Sequence, residues 1–180
     1  MMQRDDAIQL IQTRVPNENL RRHMLAVGAV MKNLAKVFKE PEEKWEYTGI
    51  VHDVDLGETN DPDLHGLLGA SWLEQMGVAA DVVDAVKAHA NHRPAESRLA
   101  ISLCAADQIT GLIIACALVY GKNLAAVTPE SVLKRFKEKR FAAGANRESI
   151  MLCEQVGLSL PEFTAVSLRA MQDIAGDLGL

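Results

Sequence analysis

The sequence predicts an all-α protein, a compact helical bundle, and three observations predict it. Hydrophobic residues make up 48% of the 180 residues but aromatics only 4%. The apolar content is therefore Ala, Val, Leu, Ile and Met, which suits packed helices better than a β-sandwich. Apolar residues recur at three- and four-residue steps, the period of one helix face, and strand signals are weak throughout.

The elements follow in order. A first helix covers residues 5–14 and stops before Pro16. Asn17 is placed to cap a second helix, in which Leu20, His23, Val27, Val30, Leu34 and Val37 form one inward face. A third helix runs over residues 42–52 with Trp45, Thr48, Gly49 and His52 on related faces. It ends in VHDVDLGETNDPD, a polar loop with Gly57 and Pro62. Asp61-Pro62 reads as a cap followed by proline at the first helical position, opening a helix that holds His65, Leu68, Trp72, Leu73 and Met76 and ends at Gly77. Another helix covers residues 79–90, with Val82, Val86 and His89 at helical spacing and Pro94 beyond it. A long helix over residues 97–120 carries Ala100, Leu103, Asp107 and Gly111 along one side. After Gly121 the chain turns, and two or three further helices fill residues 129–180.

Composition narrows the function. A net charge of -5 argues against a broad face for a nucleic acid polymer, which needs clustered Lys and Arg. It leaves room for a small phosphorylated molecule, held by a metal and one or two cations. Cys104, Cys116 and Cys153 are odd in number and far apart in apolar stretches, so neither a disulfide framework nor a cysteine zinc site is expected. A reduced, cytoplasmic setting fits. The acidic start MMQRDDAIQLIQTRV is unlike a signal peptide. Asp107 and Gln108 interrupt the most apolar stretch, residues 99–120. Burying that pair in lipid is costly, so the stretch reads as a core helix and no membrane is expected.

A single histidine on an apolar face is more often a satisfied core residue than a ligand. Here the pattern carries more than its members. His23 lies on one helix, His52 and Asp53 end the next, and Asp107 interrupts a long apolar helix. Two imidazoles and two carboxylates from separate helices can converge in a bundle core. Burying two carboxylates without a cation is very unfavourable. A divalent transition metal removes that penalty, and mixed nitrogen and oxygen donors suit Fe, Mn, Co, Ni or Zn.

These residues resemble the HD superfamily of metal-dependent phosphohydrolases, whose pattern is a histidine, then an HD dyad, then a distant aspartate. The matching segments are RRHMLAVGAVMKNLA with His23, GIVHDVDLG with the dyad, and LCAADQITGLI with Asp107, so the resemblance covers about residues 20–112. It implies an HD-type bundle with additional C-terminal helices. The chain then reads as one domain, 1–180, with a metal-site core at about 17–121 and a helical extension at about 122–180. It further implies a second ion in dinuclear members, bound by histidines between the dyad and the last aspartate. His65 and His89 match those positions, with Asp53 bridging. His92 sits past its helix, beside Arg93 and Pro94, where a loop role or a phosphate contact is as reasonable as ligation.

The chain also departs from the family. Many HD phosphohydrolases continue as HDIGK, the lysine contacting phosphate, where this chain has Val54, Asp55 and Leu56. Candidate replacements are Arg22, Lys87, Arg93 and the basic segment LKRFKEKRFAAGANR with Lys139, Arg140 and Arg147. An exposed basic helix is the plainer reading of that segment. Aspartate in place of glycine after the dyad resembles small bacterial HD proteins, and the GYP signature of cyclic-dinucleotide phosphodiesterases is absent.

The resemblance implies hydrolysis of a small phosphoester, such as a nucleotide or dinucleoside polyphosphate. Asp53 and Asp107 are the catalytic carboxylates, and Asp107, Asp55 or Glu58 would orient water. Two rivals share the same ligand types: a diiron HD-type oxygenase, and a metal-stabilised binding or signalling module without turnover. Val132, Phe136, Phe141 and Ile150 suit either a lid or a homodimer face.

Overall fold

The computed structural model describes residues 2–180. Within them the chain forms ten α-helices and no strand: α1 Arg4–Arg14, α2 Glu18–Phe38, α3 Glu42–Val51, α4 Leu67–Gln75, α5 Ala80–His89, α6 Arg98–Val119, α7 Pro129–Phe136, α8 Arg147–Met151, α9 Leu160–Asp173 and α10 Ala175–Leu178. Three short 3-10 turns lie at Val54–Gly57, Leu124–Ala126 and Leu152–Val156. The all-α class is as the composition and periodicity predict.

The helix starts follow local chemistry. The Asn17 side chain accepts hydrogen bonds from the Asn19 and Leu20 N–H groups at 3.0 and 3.2 Å, two of the donors a helix start leaves free. Ser97 caps α6 through the Ala100 N–H at 3.1 Å. Ser159 and Glu162 form a reciprocal capping box on α9.

Helices α2 and α3 form the most intimate pair, and the sequence permits it with two glycines. A Cβ on Gly49 would lie 2.7 Å from the Gly28 backbone and 2.8 Å from the Val27 carbonyl carbon, so nothing larger fits between the two backbones. This approach sets the spacing between His23 on α2 and His52 at the end of α3. Helix α6 packs against α2, α5, α7, α8 and α9, and α9 lies along α2. Helix α6 is long and apolar enough to cross a membrane by composition, yet 61% of its apolar window is buried inside the bundle. It is a core helix of the bundle.

Several boundaries differ from the sequence reading. Asp61-Pro62 opens a turn that runs to Gly66, and α4 begins only at Leu67. His65 therefore sits in the turn before the helix. The cause is Gly66, at φ +78, a left-handed conformation that interrupts a helix and favours glycine. A Cβ there would also lie 2.4 Å from the Ala90 Cβ. The inward face of α2 ends at Leu34, since Val37 is 45% exposed. The region after residue 129 holds four helices and a 3-10 turn, because the caps at Asn146 and Ser159 start separate helices that periodicity alone does not divide.

Candidate metal centre

The centre lies where α2, α3, α5, α6 and the turn before α4 meet. His23 reaches in from α2 and Asp107 from the middle of α6. His52 caps the C-terminus of α3 in helical conformation, whereas Asp53 has φ -107 and ψ 22, in the sparsely allowed bridge region common at active sites. That break lets two consecutive residues point at one place, which an unbroken helix would prevent.

Four imidazoles converge on the two carboxylates through the same ring nitrogen. His23 Nε2 lies 3.0 Å from Asp107 Oδ1 and 3.7 Å from Asp53 Oδ2. His52 Nε2 lies 3.3 Å from Asp53 Oδ2 and 3.6 Å from Asp107 Oδ1. His89 and His65 place Nε2 at 3.1 and 3.5 Å from Asp53 Oδ1. Neighbouring rings stand edge to face, with centroids 5.0 to 5.2 Å apart. Asp53 thus turns Oδ2 toward His23 and His52 and Oδ1 toward His65 and His89.

The other nitrogen of each ring is anchored outward. His52 Nδ1 lies 2.8 Å from the Gly49 carbonyl and His89 Nδ1 2.5 Å from the Val86 carbonyl. A carbonyl only accepts, so both rings carry their proton on Nδ1. The Thr110 hydroxyl donates to the Asp107 carbonyl at 2.7 Å. Its lone pair is left for His23 Nδ1–H at 3.3 Å. His65 Nδ1–H donates to Asp55 Oδ1 at 3.0 Å. Each ring therefore presents the Nε2 lone pair inward, the tautomer and outer-partner arrangement of metal-bound histidine.

The residues fit a divalent cation on further grounds. His52 Nε2 is buried and has no hydrogen-bond partner. Ligand atoms of His23, His52 and Asp107 lie within 4.8 Å of one another, as do those of His52, Asp53 and His89. Electrostatics agree. Burial alone would push the His52 imidazole down, but the Asp53 and Asp107 carboxylates hold it well above its usual value. Burial alone would push both carboxyls up, but for Asp53 the facing His52 and His89, and for Asp107 the facing His23 and His52, drive them well below the carboxylate range. Without a cation, protons shared among these groups would have to supply its charge.

Asp55 is not free to orient water, contrary to one of the sequence-derived roles. Its side chain is fully buried. It accepts from His65, from the Gly66 N–H at 2.7 Å and from the Gly69 N–H at 2.9 Å. Glu58 is likewise engaged, paired with Arg14 at 2.7 Å. His92 stands outside the ring of ligands: its Nε2–H donates to the His65 carbonyl at 2.7 Å, and so pins the turn that carries His65. Thr110 and Gln108 join the site without any mark in the ligand pattern of the sequence. Thr110 follows Asp107 by three residues on a helix, a spacing that could have flagged it.

The cations proposed for phosphate binding have other partners. Lys87 pairs with Glu74 at 2.7 Å, and Arg93 pairs with Asp84. Arg147 spends its guanidinium on the carbonyls of Phe141, Ala142 and Ala145. Lys139 lies exposed in the turns before α8. None of the four lines the cavity that opens beside His23 and Asp107. Nearby carboxylates and carbonyls, invisible in the linear sequence, claim three of these charges.

Comparison with known proteins agrees with the geometry. The profile of the HD domain family matches residues 20–112, just over half of the chain. The chain belongs to the HD domain family. HD domains are metal-dependent phosphohydrolases as a class. Ribonuclease Y of Nitratidesulfovibrio vulgaris strain DP4 is 30% identical to this HD protein over 98 residues, 53% of this chain and 18% of that relative. Ribonuclease Y of Oleidesulfovibrio alaskensis is 28% identical over the same span. That of Syntrophobacter fumaroxidans is 30% identical over 97 residues, 52% of this chain and 18% of that relative. The match spans about a fifth of these relatives' length. No solved structure matches.

Proposed function

We propose that this HD protein is a metal-dependent hydrolase of a small phosphoester, such as a nucleotide or dinucleoside polyphosphate, working in the cytoplasm. The observation that carries the reading is the set of four inward Nε2 atoms around the buried Asp53 and the half-buried Asp107, each ring oriented from outside by its own hydrogen bond. His23, His52, Asp53 and Asp107 would hold one divalent ion (Fe, Mn, Co, Ni or Zn), and His65 and His89 with the other oxygen of Asp53 a second. A bound divalent ion supplies Lewis acidity, making water more acidic and offsetting phosphoryl charge.

The chain's own groups do the rest. The outward anchors on Gly49, Val86, Thr110 and Asp55 fix ring orientation, so little reorganisation is needed during reaction. Asp107 Oδ2 accepts from the Gln108 amide at 2.6 Å, which fixes this carboxylate and leaves Oδ1 toward the histidines. In this reading Asp53 and Asp107 are the carboxylates that hold and orient the attacking water.

The relatives' name supports one other substrate class, RNA. The net charge of -5 and the commitment of nearby cations to other partners favour a small substrate over a polymer. The test is hydrolysis by protein reconstituted with each metal, against phosphomonoesters, nucleotides, dinucleoside polyphosphates and an RNA oligonucleotide. Metal-dependent release of phosphate or nucleotide from the small substrates is expected. Cleavage of RNA alone would overturn the substrate class. Oxygen uptake by the iron form without phosphoester hydrolysis would overturn the reaction.

A further inference from the structure

A cavity of about 430 Å³ opens directly onto the metal centre, with His23 and Asp107 in its wall. The volume lies in the range that takes up a small organic ligand. One side is the outer face of α6, with Gly111, Ile114, Ala115 and Leu118. The other side is the turn before α8, with Ala142, Gly144 and Ala145. Among the described residues no Lys or Arg lines it, and Asp107 is its one charged carboxylate.

The remaining polar side chain in the wall is engaged at both ends of its amide. Gln108 donates to Asp107 and accepts from the Asn146 N–H at 2.8 Å. Gln108 thereby ties a metal-centre carboxylate to the turn that forms the opposite wall. Arg147 stiffens that same turn, donating to the Ala142 and Ala145 carbonyls at 2.7 Å each. The wall is thus built and held, not a gap between mobile loops. Gly111 leaves its floor open, since a Cβ there would meet nothing within 4 Å. Arg22 and Lys122 line a separate cleft that shares Ile114 and Leu118 with this one.

We infer that this cavity receives the organic part of the substrate, and that this part is uncharged and largely apolar, while the phosphoryl group stays at the metal centre. The inference rests on the phosphohydrolase reading and names the substrate class within it: phosphoesters of an apolar alcohol or an aromatic group. A pocket lined mainly by Gly, Ala, Ile and Leu with no cation rewards apolar contact and penalises charge. Gly111 sets the depth of the cavity, and with it the size of group accepted.

The test uses non-hydrolysable alkylphosphonates, so that it reads binding and not turnover. Methyl-, butyl- and hexylphosphonate are titrated calorimetrically into the metal-loaded protein and into Gly111→Leu. Leucine is a better helix former than glycine, so this variant is expected to fold, and its metal content is measured alongside. Wild-type affinity should rise about fourfold per added methylene, and Gly111→Leu should flatten the series. Equal affinity for all three in the wild type would overturn the pocket assignment and leave the phosphohydrolase reading standing. Binding of none of them would overturn both. A length dependence that survives unchanged in Gly111→Leu would overturn the placement of the organic group in this cavity.

Discussion

Replacing Asp55 by Asn probes the second half of the metal centre without changing the shape of the side chain. Asp55 accepts three hydrogen bonds, two of them from the Gly66 and Gly69 N–H groups on the same oxygen. An asparagine must put its carbonyl oxygen there, because the reverse orientation would aim an NH2 at two donors and leave both unsatisfied, at about 1–3 kcal/mol each. The NH2 then faces His65 Nδ1. That nitrogen must accept, so the ring proton moves to Nε2, the atom that faces Asp53 at 3.5 Å. A protonated Nε2 cannot ligate. Losing such an outer partner typically weakens a metal site about 10- to 100-fold, or roughly 1.4 to 2.7 kcal/mol. His23, His52 and Asp107 do not touch Asp55, so their ion should stay. The assay is metal titration of the metal-free protein with elemental analysis after dialysis. Two equivalents are expected for the wild type and one for Asp55→Asn, with unchanged helical circular dichroism. Two tight equivalents in the variant, or loss of both, would refute the tautomer argument.

The same residue gives a pH signature in the metal-free protein. Burial would raise the Asp55 carboxyl, but His65 and the two backbone N–H groups hold it below its usual value. Its contribution is therefore present above the unfolded pKa of about 3.9 and fades as pH falls through the lower folded value. Burial would lower His65, but Asp55 and Asp53 raise it, so that contribution is complete below about pH 6.5 and fades as pH rises through the higher folded value. The stability gap between wild type and Asp55→Asn should be widest between these limits in denaturant titrations, and should narrow in more acidic buffer.

Further outcomes follow from the same coordinates. Asp53→Ala should lose both ions and all hydrolysis, since one oxygen faces each pair of histidines; full metal content in that variant would contradict the bridging role. Gly49→Ala should destabilise the fold by about 1–3 kcal/mol, measured by urea denaturation, and should weaken metal binding as well, because the displaced helices carry His23 and His52. Cys104 is pushed up to about 11, chiefly by burial and then by the Asp107 charge, and Cys153 to about 11 by burial and then Glu154. At pH 8 each holds roughly one thiolate in a thousand, so iodoacetamide should spare both in the native protein and label them in denaturant.

Much of the centre was legible because its ligands sit at the ends or middles of strongly periodic elements. His23 falls on the apolar stripe of α2, and Asp107 is conspicuous in an apolar helix, so each is visible as a polar residue in the wrong company. His65 was legible as a residue but not as a position: the helix reading placed it on α4, whereas Gly66 bends it into a turn. The outer partners were hidden for a different reason. The carbonyls of Gly49 and Val86 belong to the backbone and have no sequence signature. The fate of the basic residues was hidden as well. Arg147 looks like a phosphate ligand in a row of Lys and Arg, yet the turn wraps its carbonyls around the guanidinium. Such pairings are decided by tertiary packing, which charge counting does not see.

The most direct measurement is the position of a metal in crystals of the protein grown with manganese, read from anomalous scattering. A peak among His23, His52, Asp53 and Asp107 is expected, with Nε2 of each histidine as the ligating atom. A peak elsewhere, or none at this cluster under saturating metal, would contradict it.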